Sequence, residues 1–149
     1  MGETQRKPEG ARHASSEMLR LQARECLERL LQHSSSLQFA CLGTADGRLL
    51  ASVDADARST GERIAAMTSS LLALSESFAK DALRSHCSYS VIATDHGSIV
   101  VVRVPHVGRG YMLSVGSDGS ELMALTLRAS LDAAERLAVI IADASAAAA

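Results

Sequence analysis

Two turns of only a few residues decide most of what this chain can fold into. Ala45-Asp46-Gly47-Arg48 separates an apolar run at 37–44 from another at 49–53, and Asp95-His96-Gly97 separates a run at 88–94 from one at 99–104. A parallel crossover needs a dozen residues or more, so the strands on either side of each turn must be antiparallel neighbours. Asp-Gly between apolar runs is itself a hairpin signal. The run 99–104 reads most strongly as a strand, because Ile99, Val100, Val101, Val102 and Val104 are all β-branched. Pro105, Gly108 and Gly110 then make a longer turn into a fifth strand at 111–115.

Helical spacing fills the gaps between these strands. After Ser15 or Ser16, either of which can cap a helix, apolar residues recur at Leu19, Ala23, Cys26, Leu27, Leu30 and Leu31. Ser59-x-x-Glu62 has the form of a capping box and opens a second helix that runs to Ala79 or Lys80. A third starts at Ser117 or Asp118 and carries Leu122, Thr126, Ala129, Ala133, Leu137 and Ile140. The order is α-β-β-α-β-β-β-α, an α+β layered fold in which helices must cover a sheet. The 149 residues suffice for one domain. Residues 1–14 and 144–149 lack this patterning and read as disordered tails around a domain spanning 15–143.

Composition excludes several classes of partner. Net charge is -2, thirteen Arg and two Lys are scattered among acids, and aromatics make up 3%, so no basic stripe with stacking platforms is present for nucleic acid. No uncharged apolar run reaches the roughly 18 residues of a membrane span, and 1–14 is polar, unlike a secretory signal. A cytoplasmic location and no membrane insertion are expected. Cys26, Cys41 and Cys87 are odd in number and lack C-x-x-C spacing, which reads as small buried hydrophobes. His13, His33, His86, His96 and His106 include no i, i+4 pair; His86 and Cys87 are adjacent and would point to opposite sides of a strand. No phosphate-binding G-x-x-x-x-G-K-[ST] loop or G-x-S-x-G elbow is present. Residues 115–120 read as a turn and cap, and Arg58, Arg63 and Arg84 as solvated helix-face residues. No catalytic, cofactor-binding or metal-binding residue is therefore expected, and the chain reads as a non-enzyme.

The second helix carries more apolar surface than one sheet contact needs. Met67, Leu71, Leu74 and Phe78, with Ile64, Ala65, Leu72 and Ala79, cover about half its circumference at about 100° per residue. Away from that arc, Ala66, Ser70, Ala73 and Ser77 form a seam of small residues against which another helix can approach closely. The third strand adds a second clue: Tyr89, Ser90, Val91, Ile92 and Ala93 include no charge, proline or glycine to blunt a sheet edge. Pairing with the same strand of a second copy would satisfy it, as would cover by another strand of the same chain. The expected homodimer and partner surface is thus Ala66, Met67, Ser70, Leu71, Ala73, Leu74, Ser77 and Phe78 on the helix, with Tyr89, Val91 and Ala93 on the strand.

These residues also carry a resemblance. FACLGTADGRLLASVDAD, then GERIAAMTSSLLALSESFAKDA, then YSVIATDHGSIVVVRV and a closing helix are similar to the roadblock/dynein-light-chain family in its bacterial form, over roughly residues 16–142. The resemblance implies a five-stranded antiparallel sheet with helices on both faces, homodimers joined edge to edge, and second helices paired across the twofold axis. It further implies a noncatalytic regulatory or scaffold subunit that binds a small Ras-like GTPase or another signalling protein. A different reading, a small-molecule sensor of PAS-like or profilin-like type, requires a pocket of about 300 Å³ or more between sheet and helix.

Overall fold

The computed structural model describes residues 9–56, 60–107 and 110–149. Its elements are α1 (Glu9–His33), β1 (Leu37–Thr44), β2 (Leu49–Asp54), α2 (Gly61–Leu83), β3 (Tyr89–Thr94), β4 (Gly97–Arg103), β5 (Tyr111–Ser117) and α3 (Met123–Ala148). Among the described residues the strands form one five-stranded antiparallel sheet in the order β2-β1-β5-β4-β3. Both short turns do what their sequences require. Gly47 takes the positive φ that closes the first hairpin, and the Thr44 hydroxyl donates to the Asp46 carboxylate inside it. Thr94 pairs with Gly97 across the second, where a Cβ on Gly97 would overlap the Ser117 carbonyl.

Alternation along the strands builds two unequal layers. Ala40, Leu42, Val100, Val102, Leu113 and Val115 point to the face covered by α1 and α3, where they meet Leu27, Leu30, Ala133, Leu137 and Ile141 in the main core. Val101 and Met112 point to the opposite face, where Leu72 of α2 is the buried helix residue that meets them. Helix number accounts for the inequality, since two helices of about 10 Å diameter pack on the first face and one on the second.

Several element ends differ from the sequence reading. Helix α1 begins at Glu9, ahead of Ser15 and Ser16; the Ser15 hydroxyl bonds back to the Ala11 carbonyl inside the helix instead of capping it. Helix α3 runs on through the terminal alanines to Ala148, as their high helix propensity favours. Its start lies at Met123 instead of Ser117 or Asp118. Ser117 belongs to β5 and pairs with Leu37 and Ser98, while the Asp118 carboxylate accepts the Ser120 N–H and hydroxyl, forming a turn before the helix. Helix α2 continues past Lys80 to Leu83 and ends on Arg84 in the left-handed conformation. Thr60 occupies its N-cap without a side-chain cap bond, and Ser59 lies outside the described residues. Cys26 and Cys41 are buried as expected, but Cys87 is half-buried.

Candidate functional site

Helix α2 crosses the sheet obliquely from β2 to β3. Near its start, Gly61 lies against Ser52 and Leu49 of β2 and its carbonyl faces the Cys41 thiol of β1. Ala65 then packs on Gly43, the Ser69 hydroxyl donates to the Ala45 carbonyl at 2.6 Å, and Leu72 reaches β4 and β5. At the far edge the Ser90 hydroxyl of β3 donates to the Ser75 hydroxyl at 2.9 Å. From Gly61 to Glu76 the helix advances about 22 Å at its rise of about 1.5 Å per residue. The distance from β2 to β3 is about 19 Å at ordinary strand spacing, so the crossing is oblique and about 11 Å of the advance runs along the strands.

This path decides which helix residues are hidden. Ala65, Thr68 and Leu72 are buried against the sheet; Ile64 and Leu71 are half-buried. The expected interface residues Ala66, Ser70, Ala73 and Ser77 are not buried, and Met67, Leu74 and Phe78 are exposed at 57%, 69% and 75%. Three large apolar side chains in water on one helix form a patch of the kind that marks an interaction surface.

Strand β3 is an edge strand, paired on one side by β4. Val91 is half-buried against the main core, whereas Tyr89 and Ala93 are exposed. These three expected residues lie on the α1 and α3 side of the sheet. It is their neighbours Ser90 and Ile92 that face α2, through the Ser75 contact and the groove described below. Strand alternation in the sequence separates Ser90 and Ile92 from Tyr89, Val91 and Ala93 but does not say which set the helix takes.

The link from α2 back to β3 is clipped by one carboxylate. Glu76 accepts the His86 Nδ1–H at 2.6 Å and the Cys87 backbone N–H at 2.9 Å, with Arg103 at 3.9 Å. The hydrogen bond from His86, then that from Cys87, holds the Glu76 carboxyl below the ordinary carboxylate value. His86 and Cys87 thus lie in the connection ahead of β3 and not in a strand; the His86 ring meets Glu76, while the Cys87 thiol faces the Tyr89 carbonyl and the Ser90 hydroxyl.

Between α2 and the uncovered part of the sheet runs an apolar groove of about 360 Å³. Ile64, Met67, Thr68 and Leu71 form its helix wall; Phe39, Ile92, Ile99, Val101 and Ser114 form its sheet floor. Sequence reasoning named Met67 and Leu71 here and missed the floor, which four strands distant in sequence assemble. The Ser114 hydroxyl is buried beside the Cys41 thiol. Burial pushes that thiol up to about 11, so Cys41 stays protonated at neutral pH. A second hollow of about 440 Å³ lies by the Asp95-His96-Gly97 turn, Asp118 and Glu121; it is open and mostly polar and does not adjoin the exposed helix face. Among the described residues no helix is long and apolar enough to cross a membrane.

Comparison with known proteins bears on this arrangement. The Roadblock/LC7 domain family model matches residues 24–117. A solved structure described as MglB with tetrameric arrangement superposes with a TM-score of 0.73 at 21% identity, covering 85% of this chain and 92% of its own. Gliding protein MglB from Thermus thermophilus gives 0.72 at 19%, covering 84% and 92%, and Myxococcus xanthus MglB gives 0.72 at 17%, covering 84% and 91%. These likenesses show the shared fold. No curated protein matches the chain by sequence.

Proposed function

The chain belongs to the Roadblock/LC7 family, and from that premise we propose that it is a noncatalytic homodimeric regulatory subunit whose paired α2 helices and joined sheets form a platform for a small Ras-like GTPase. The observation that carries this reading is the coincidence of three exposed apolar side chains, Met67, Leu74 and Phe78, with an uncharged edge strand that the same helix meets through Ser75 and Ser90. An edge strand without charge, proline or bulge is a liability unless something pairs with it. A second copy meets both needs in one twofold contact. The GTPase comes from the family resemblance alone.

The test uses a Ras-like GTPase from the same genome, loaded with GDP or a GTP analogue, titrated calorimetrically into wild type and Ser70→Arg. Wild type should bind one nucleotide state with at least micromolar affinity, and Ser70→Arg, still folded by circular dichroism, should lose dimerisation and most of that binding. Binding by neither form, across all such GTPases of that genome, would leave the platform without its partner and sink this part of the reading.

The sensor reading has one specific observation in its favour: the groove exceeds the roughly 300 Å³ a small ligand needs and has a buried hydroxyl, that of Ser114, in its floor. It requires the groove to stay vacant when two chains associate.

A further inference from the structure

We propose that the first turn of α3 and the hollow beside it are a docking surface for a basic amphipathic helix of a partner protein. Apolar residues of that helix rest on Leu122, Met123 and Leu125, and a lysine or arginine reaches the carboxylates of Asp95, Asp118 and Glu121. No residue of α2 takes part, so the surface stands apart from the dimer proposed above.

The apolar part is visible in what the helix gives up. Leu122 is the N-cap of α3 and makes no side-chain cap bond. Serine, threonine, asparagine and aspartate favour that position because a side-chain oxygen there accepts a free backbone N–H; leucine has none to offer. Leu122 is not hidden in exchange, since it is 75% exposed, and Met123 and Leu125 in the same turn are 49% and 54% exposed. Three large apolar side chains therefore stand in water where a serine would hold the helix better. A cluster of this kind marks an interaction surface.

The charge around the cluster points to the occupant. Glu121 and Met123 line the hollow of about 440 Å³ together with Asp95, His96 and Asp118, and Glu121 and Leu125 line a smaller one of about 190 Å³ that includes His33 and Arg128. Neutral donors fix two of the carboxylates: Asp118 accepts the Ser120 N–H and hydroxyl and the Gln38 amide, and Glu121 accepts the Ser36 hydroxyl. Among the described residues none of Asp95, Asp118 and Glu121 is paired with a cation, and Arg128 is engaged with Asp132 at 3.7 Å. Three carboxylates without a counter-charge turn away an anionic membrane and any anion drawn to the helix N-terminus. They favour a cation, and the exposed turn beside them favours an apolar stripe. An amphipathic helix with lysine or arginine bordering its apolar face brings both at once.

The probe is a synthetic helical peptide of leucine and lysine, about four turns long with leucine on one face, titrated into the full isotope-labelled chain and followed by amide chemical shifts. Shifts should concentrate at 95–97 and 118–125, and binding should weaken as salt rises. A peptide with glutamate in place of lysine should not bind. Asp95→Lys should weaken the complex on the order of tenfold. Leu122→Ser should weaken it on the order of tenfold while raising the melting temperature, because it removes an apolar contact and supplies the missing cap. Those opposed signs separate docking from a structural role. Shifts that fall along Met67, Leu74 and Phe78, equal binding of the glutamate peptide, or an affinity unchanged by Leu122→Ser would each overturn the proposal. So would attachment of the chain to phosphatidylglycerol vesicles that Leu122→Ser abolishes. A failure of the chain to dimerise in sedimentation sinks the dimer alone and leaves each of these outcomes decisive.

Discussion

The two faces of the sheet are finished to different degrees. On one, α1 and α3 lie side by side and enclose Leu27, Leu113, Val115 and Leu137, all at the limit of burial. On the other, α2 alone crosses the strands, buries Leu72 over Val101 and Met112, and leaves Met67, Leu74 and Phe78 in water beside an open groove. The first face is built to hold the chain together. The second has the same strand chemistry but about half the helix cover, and this difference separates residues that stabilise the monomer from residues available to another chain.

Substitutions can break that contrast, and the largest effect belongs to the closed face. Leu137→Ala should cost about 2–5 kcal/mol of unfolding free energy in denaturant titration, because its neighbours cannot collapse into the space left. Next is the contact that sets the height of α2: a Cβ at Gly43 would stand 3.1 Å from both the Ala65 Cβ and the Arg48 carbonyl. Gly43→Ala should cost about 1–3 kcal/mol by lifting the helix from β1. Leu74→Ala should change the unfolding free energy of the monomer by less than about 0.5 kcal/mol while weakening association. A large loss from Leu74→Ala in dilute monomer would show that the second face is not open.

The smallest effect concerns the Glu76 clip and depends on pH. Because its carboxyl is held below the ordinary value, the clip's contribution is complete above the usual carboxylate range near about 4 and is lost as pH falls through the lowered value. Glu76→Gln should therefore melt slightly below wild type at pH 7, and the gap should close on acidification. A gap that grew as pH fell would contradict the assignment.

How far the sequence reached follows from the range of the interactions involved. Strand 37–44 was legible to the residue, and the others nearly so, because Asp-Gly turns and β-branched runs are local signals. The exposed ridge of Met67, Leu74 and Phe78 was legible as an apolar arc too wide for one contact. The helix starts were misread where serine and aspartate side chains had better local partners, as Asp118 has in Ser120. Strand order was not legible, since β1 lies beside β5 through contacts that no turn dictates. The groove floor shared that fate, and so did Ile92, whose direction depends on which face of β3 the helix takes.

Sedimentation equilibrium of the wild-type chain across nanomolar to high micromolar concentration tests the unfinished face most directly. A reversible shift from one chain mass to two, abolished by Ser70→Arg without loss of helical signal, is the predicted result. A single-chain mass throughout that range, with the chain soluble and folded, would contradict it.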